Sequence, residues 1–391
     1  MNLTITPGPL AGTITPPPSK SQAHRLLIAA ALGEGESRIE NLAGSQDILA
    51  TQRCMAALKM PGKDLPELDC GESGSTLRFL IPVALALRGG GRFTGHGRLM
   101  ERPQEPYFAL FREKGIFYEQ KDGVLTVAGT LTPGDYTLRG DVSSQFITGL
   151  LYALPLLNGD SRILLTTALE SRGYIDMTLA ALARFGVRAE YDGDRTFRVP
   201  GNQRYRAQNL TIEADWTNAA FWYAARFLGC GVEIEGLDPA SPQGDRVIAA
   251  FYEQLKGSGP VELDVSQCPD LVPPLAAMAA LRSGETTAIV NAARLRIKES
   301  DRLAAVTEVL GALGAQVEEF EDHLVIHGKK RLAGGVTVSG HNDHRIAMMA
   351  AIAAIRCDAA VTITGAECVK KSYPNFWEDY RSLGGNYTCD T

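Results

Sequence analysis

Six segments built alike limit this chain more than any single motif does. In each, an apolar helix-like run ends and a strand-like run begins, most often across a glycine. One helix-like run closes at Gly115, with strand-like residues 116–118 and 124–127 on either side of Asp122-Gly123. Another closes at Gly186, before residues 187–191 and Asp192-Gly193, and a third closes at Gly314, before residues 315–318 and 324–326. Weaker copies end at Gly257, at Gly384 and near Ala57-Leu58-Lys59. Glycine suits the left-handed position that follows a helix, and Asp-Gly suits a two-residue hairpin. The intervals match: 71 residues separate Gly115 from Gly186, and 70 separate Gly314 from Gly384. Gly257 to Gly314 is 57 residues, as is the step from residue 58 to Gly115. Matched periods of this kind predict an α/β chain of two similar domains, each of three repeats.

The seam falls near residues 211–215. The early strand-like residues Leu3–Thr6 and 12–15 are expected to pair with the C-terminal half. The domains are then 21–212 on one side, and 1–20 with 213–391 on the other. A chain of 391 residues is long enough for both.

With 45% hydrophobic and 21% charged residues, the composition is that of a globular protein. The net charge of −6 gives no basic field for nucleic acid, so bound anions need locally gathered cations. Seven cysteines without regular spacing do not read as a disulfide framework, which favours a reducing compartment. No apolar run reaches membrane-spanning length, and no secretory signal is visible at Met1-Asn2-Leu3-Thr4. A cytoplasmic enzyme, monomeric and free of membrane, is the expectation.

The cations gather at helix starts. Lys20-Ser21 follows three prolines, and Arg25 stands one helical turn beyond Ser21. Lys298-Glu299-Ser300-Asp301-Arg302 precedes one apolar run, and Asn342-Asp343-His344-Arg345 opens another. Helix N-termini favour anions through free N–H groups and the dipole. An isolated copy reads equally as a capped helix with solvated charges; three together point to small, highly charged substrates. Gly71-Glu72-Ser73-Gly74 opens a fourth helix but is no Walker loop, since no Gly-Lys-Ser/Thr follows. Ser143-Ser144-Gln145 offers two hydroxyls and an amide where a cap needs one. Asp270 stands at the edge of an apolar run, either as an N-cap or as a general base. No His, Cys and carboxylate spacing suits a metal, and Cys70 reads as a buried thiol.

Taken in order, Lys20-Ser21-x-x-x-Arg25, Gly74-x-x-x-Arg78, Glu101-Arg102-Pro103, Ser143-Ser144-Gln145, Lys298-Glu299-Ser300-Asp301-Arg302 and Asn342-Asp343-His344-Arg345 resemble the 5-enolpyruvylshikimate-3-phosphate synthase family. The resemblance runs from Lys20 to Lys371 and beyond. It implies two domains of three βαβαββ-type units, helices inside and sheets outside, with active-site residues in the cleft between them. It implies transfer of the enolpyruvyl group of phosphoenolpyruvate to the 5-hydroxyl of shikimate 3-phosphate, without metal or organic cofactor.

The resemblance also implies roles for individual residues. Ser21 and Arg25 hold the shikimate carboxylate, and Ser143, Ser144, Ser171 and Lys298 its phosphate. Gly74, Arg102, Gln145 and Lys371 hold the enolpyruvate phosphate, with Gln145 reaching both substrates, and Arg302 and Arg345 hold the enolpyruvate carboxylate. Lys20 lies near both substrates, Asp270 also touches shikimate 3-phosphate, and Lys20, Asp270 and Glu299 handle protons. Glu72 and Phe79 depart from the residues usual in the family, as does Arg172-Gly173. The related transferase acting on UDP-N-acetylglucosamine is disfavoured, because it has Lys-Asn in place of Lys20-Ser21 and a loop cysteine where residues 96–102 have none.

Overall fold

The computed structural model describes residues 1–390, for Asp390 the backbone alone. The chain divides into two compact units, Lys20–Ile212 and Met1–Ser19 with Glu213–Thr391. Lys20, placed above with the C-terminal domain, belongs to the continuous unit because it is already the first residue of helix Lys20–Leu32.

In the continuous unit, helices Lys20–Leu32, Gln46–Lys59, Gly74–Arg88, Ser144–Ala153 and Arg172–Arg184 pack neighbour to neighbour in a closed ring. Residues 77–85 and 146–153 are buried on every side, so these two helices are central. Their close approach is written in the sequence. Pro82 has no N–H, so the Arg78 carbonyl one turn earlier lacks its helical donor. The Tyr107 hydroxyl lies 2.8 Å from that carbonyl and 2.9 Å from Phe146 O. At Gly149 a Cβ would overlap both the Tyr107 hydroxyl and the Arg78 carbonyl, so only glycine fits.

The other unit repeats the plan. Helices Val272–Ala280 and His344–Ala354 are its buried centre, flanked by Trp216–Phe227 and Arg302–Ala312.

Among the described residues, four sheets have four strands each and share one topology: a parallel pair, then two antiparallel neighbours. In the first, Glu67–Asp69 runs parallel to Gly90–Thr94, which pairs antiparallel with Val124–Ala128, itself paired with Phe117–Lys121. Strands Gly134–Leu138, Ser161–Leu165, Thr196–Val199 and Glu190–Tyr191 repeat this order, as do Val261–Asp264, Thr286–Val290, Leu324–His327 and Gln316–Glu319. In the fourth, Thr337–Ser339 and Val361–Thr364 form the parallel pair, and the N-terminal strand Asn2–Thr6 lies between Val361–Thr364 and Asn386–Asp390.

The remaining two sheets are parallel pairs alone. Asn209–Thr211 pairs with Arg38–Glu40, and Ala11–Ile14 pairs with Gly231–Ile234. These belong to two of the three weaker copies, those ending near residue 58 and at Gly257, and the β-hairpin expected of them is missing. Helix Gln46–Lys59 is followed by strand Glu67–Asp69, and helix Ile248–Lys256 by Val261–Asp264, links too short for two paired strands and their turn. The expected left-handed glycine is also missing from the second. Gly257 is extended (φ −67°), and the positive φ falls on Gly259. Gly115, Gly186, Gly314 and Gly384 all have positive φ.

Candidate active site

Each unit carries its own polar cluster. In unit Lys20–Ile212 the cluster lies on the first turns of the ring helices. Lys20 Nζ is 2.8 Å from Asp47 Oδ2, at the start of helix Gln46–Lys59. From His24 a chain of hydrogen bonds runs through Thr51 (2.7 Å) to Thr76 (2.7 Å) and Ser73 (2.7 Å), tying three helices together. Burial holds the His24 imidazole well below its ordinary pKa, and the charges of Lys20 and Arg25 push it the same way. It is therefore neutral, and acts as a strut rather than as a charge.

Arg25 is fixed by its neighbours. Its Nε donates to Thr178 Oγ1 (2.9 Å), Nη1 to the Ser21 carbonyl (2.7 Å) and Nη2 to the Tyr174 carbonyl (2.9 Å). Each terminal nitrogen keeps a second hydrogen for a ligand. Gly74 is the first residue of helix Gly74–Arg88, capped by Ser73, and a Cβ there would sit 2.7 Å from Arg102 Nη1. The bare backbone lets the guanidinium lie beside the free N–H groups of that first turn. Gln145 accepts from Arg78 Nη1 (2.8 Å) and donates to Ser75 Oγ (3.1 Å), so its amide is oriented from both ends. Ser143 caps helix Ser144–Ala153. Ser171 precedes helix Arg172–Arg184 with φ 55°, a left-handed conformation uncommon for a non-glycine residue and often found at functional sites.

The second cluster centres on Arg302, which is 0% exposed. Its Nε donates to Asp343 Oδ2 (2.8 Å), Nη1 to Asp270 Oδ1 (2.7 Å) and Nη2 to Glu299 Oε2 (2.6 Å). Asp270 also meets Arg345 Nη2 at 3.1 Å and Lys298 Nζ at 3.5 Å. Lys371 Nζ donates to the Asn342 carbonyl at 2.5 Å. His341 and Asn342 both have positive φ, which turns the chain before the Asp343 cap of helix His344–Ala354.

Charge governs the titration of this cluster. Burial alone would raise the Asp270 carboxyl, but Arg345, Lys298 and Arg302 outweigh it and hold the group well below its ordinary range. Burial lowers Lys298 to about 8, with Asp270 opposing. Burial and the Asp270 charge raise Asp245, whose carboxylate accepts from the Thr217 hydroxyl, to about 7.

A short basic-acidic motif can recur by chance, but two such clusters on a six-repeat scaffold are harder to reach that way. The family model for EPSP synthase (3-phosphoshikimate 1-carboxyvinyltransferase) matches residues 5–380. The chain belongs to this family.

The EPSP synthase family match is joined by individual relatives. A 3-phosphoshikimate 1-carboxyvinyltransferase of Clostridium kluyveri is 47% identical over 417 aligned positions, covering 98% of this chain and 97% of the relative. One of Clostridium beijerinckii is 44% identical over 98% of each chain. Among solved structures, EPSP synthase from Acinetobacter baumannii superposes with a TM-score of 0.80 at 24% identity, covering 99% of this chain and all of that one. The enolpyruvyl transferase NikO from Streptomyces tendae gives 0.77 at 19% identity, covering 99% of this chain and 98% of that one. These two likenesses establish the fold expected from the repeats. As an EPSP synthase, the chain is an enolpyruvyl transferase that takes phosphoenolpyruvate and shikimate 3-phosphate as substrates.

Of the residues singled out in the sequence, Lys20, Ser21, Arg25, Gly74, Arg102, Ser143, Ser144, Gln145 and Ser171 lie in unit Lys20–Ile212. Asp270, Lys298, Glu299, Arg302, Arg345 and Lys371 lie in the other, and Arg302 joins Asp270 to Glu299 directly. Three residues given no site role in the sequence hold others in place, Asp47 on Lys20, Arg78 on Gln145 and Asp343 on Arg302, and a fourth, Asp245, feels the charge of Asp270. Asp343 was legible as a helix cap. Nothing local in the sequence marks Asp47 or Asp245, which lie far along the chain from their partners.

Proposed function

We propose that the two clusters divide the four anionic groups of the substrates, and that Asp270 and Glu299 move the protons. Ser21 and Arg25 take the shikimate carboxylate. Ser143, Ser144, Ser171 and Lys298 take its phosphate, with Gln145 alongside. Gly74 N–H, Arg102, Gln145 and Lys371 take the enolpyruvate phosphate, and Arg302 with Arg345 takes the enolpyruvate carboxylate. Arginine forks match carboxylates with two parallel bonds. Lys20, braced by Asp47, adds a charge felt by both substrates.

The observation that carries this reading is the shared use of Asp270. It answers three cations at once, Lys298, Arg302 and Arg345. An arriving carboxylate at Arg345 draws that cation away, so the proton affinity of Asp270 rises as substrate binds. Asp270 then accepts the 5-hydroxyl proton while Glu299 delivers one to the methylene carbon, giving a tetrahedral phospho-ketal. In the elimination Glu299 takes a proton back from the methyl group and Asp270 gives its proton to the departing phosphate, so the bond to the 5-oxygen stays and both carboxyl groups end as they began. Because Arg302 bonds both carboxylates, it keeps the pair at fixed separation through both steps.

The chemistry needs no nucleic acid and no membrane. No described helix is long and apolar enough to cross one. We place the enzyme in the cytoplasm, which suits thiols such as Cys70 and Cys268 that are buried and unbridged. The test is phosphate release measured with both substrates and with each omitted in turn. Release with phosphoenolpyruvate alone, or none with both, overturns the reading.

A further inference from the structure

We propose that Phe79 is a positioning residue for substrate binding: its ring backs the Arg25 guanidinium and so sets the affinity for the carboxylate of shikimate 3-phosphate. The inference rests on the assignment of that carboxylate to Arg25. Two buried arginines frame it. Arg25 is 3% exposed and Arg302 0%. Arg302 meets three carboxylates. Among the described residues Arg25 meets none; it donates to the Thr178 hydroxyl and to the Ser21 and Tyr174 carbonyls. Charged groups are seldom buried unless paired, and burial pulls the Arg25 pKa below its ordinary value. A buried cation bonded only to neutral oxygens keeps its charge for an anion that arrives. Until then, something other than a carboxylate has to offset its burial.

Aromatic faces supply it. The N–H groups of a guanidinium lie in its plane, which leaves the faces to other groups. The Arg25 guanidinium carbon lies 5.3 Å from the Phe79 ring centroid and 5.9 Å from that of Tyr174. A ring face attracts a cation through its quadrupole, more strongly where water is excluded. It takes no hydrogen in doing so, and the second hydrogens of Nη1 and Nη2 stay available to a ligand. Phe79 is 0% exposed and is itself held from two sides. The His24 ring meets it edge to face, with centroids 6.4 Å apart and planes at 84°. The neutral imidazole adds no charge that would compete for the ring. Tyr152 lies against Phe79 at 6.3 Å, and its hydroxyl donates to the Arg25 carbonyl (3.1 Å). One tyrosine therefore braces both the ring and the backbone of the arginine that the ring supports.

Phe79 follows Arg78, which orients Gln145, on helix Gly74–Arg88. Two consecutive residues of this helix thus each support a side chain assigned to substrate, carried on two other helices. An aliphatic side chain at position 79 would fill space but give the guanidinium no attractive face. Arg25 would then hold its charge at greater cost and settle less firmly in the geometry its two free hydrogens need. Because Phe79 departs from the residue usual in the family, this support belongs to the present chain rather than to the shared site.

Calorimetric titration of the full-length enzyme tests this, with shikimate 3-phosphate and with the analogue whose carboxylate is replaced by a neutral carboxamide. Phe79 is exchanged for phenylalanines carrying one, two and three ring fluorines, which weaken the negative face and scarcely change the size of the ring. The Kd of shikimate 3-phosphate should rise with each fluorine, while that of the carboxamide stays constant. Phe79→Leu should raise KM for shikimate 3-phosphate by about tenfold and leave kcat and KM for phosphoenolpyruvate near the wild-type values. A Kd indifferent to fluorination overturns the proposal. So does equal weakening of both ligands, which would leave the ring a packing role alone. Arg25→Ala separates these failures from failure of the underlying assignment. If that variant still prefers the carboxylate to the carboxamide as the wild type does, Arg25 does not hold the carboxylate and the proposal falls with it. If it loses the preference while fluorination changes nothing, Arg25 keeps its role and Phe79 alone is removed.

Discussion

Arg302 and Asp343 are both wholly buried, and they bond through Arg302 Nε to Asp343 Oδ2 at 2.8 Å. The same carboxylate accepts from Ser300 Oγ (3.0 Å) and from the Arg345 N–H (3.0 Å). One aspartate thus closes a helix, orients an arginine and links two motifs forty residues apart in sequence.

Removing Asp343 leaves a buried guanidinium short of one carboxylate and a helix without its cap. Asp343→Ala should destabilise the protein by about 3–5 kcal/mol, the usual penalty for breaking a buried pair. Urea unfolding followed by circular dichroism reads this directly. A loss no larger than that of a surface substitution would mean that Asp270 and Glu299 suffice to hold Arg302.

Asp270→Asn and Glu299→Gln should each lower kcat by about 10²–10⁴-fold, with a much smaller change in KM. Steady-state kinetics under saturating substrates separates the two. A change in KM alone would remove the residue from proton transfer.

Lys20→Met should nearly abolish turnover while the circular dichroism spectrum stays that of the wild type, because Lys20 lies at a helix start rather than in the apolar core. Wild-type kcat in the folded variant would end its role.

Asp245 gives a pH signature. Its folded pKa of about 7 lies above the unfolded value of 3.8, so the native state binds the extra proton in that window. Stability therefore falls as pH rises from the unfolded value through about 7. Asp245→Asn should stabilise the enzyme at pH 8 by about 1–4 kcal/mol and do little at pH 4. Equal effects at both pH values would count against the buried carboxylate.

Lys298 titrates the other way. Burial lowers its pKa from 10.5 to about 8, so its positive charge is lost in the empty enzyme as pH rises past that point. Binding of shikimate 3-phosphate, measured by calorimetry, should weaken above pH 8, and Lys298→Arg should remove that dependence. An unchanged slope in the arginine variant would place the phosphate elsewhere.

The repeats were legible because glycine and Asp-Gly mark backbone conformations that other residues avoid. Asp122 and Gly123 both have positive φ and join two strands by the two-residue turn their pairing predicts. Charged motifs were legible because cations crowd at helix starts. What could not be read was partnership across the chain. Nothing in the sequence shows that Arg302 meets three carboxylates from three separate segments. The two absent hairpins were equally hidden, since a periodic helix says nothing of whether a strand follows.

The placement of strand Asn2–Thr6 sets an order of events during synthesis. This strand is made first, but both of its neighbours, Val361–Thr364 and Asn386–Asp390, are made last. Unit Lys20–Ile212 is continuous and can close as soon as its own residues leave the ribosome. Strand Asn2–Thr6 must meanwhile wait, unpaired, for nearly the whole chain to be made, while Ala11–Ile14 waits only for Gly231–Ile234. Ribosomes that stall late should therefore carry one finished half and one open sheet, the state in which this enzyme is most exposed to proteases and chaperones.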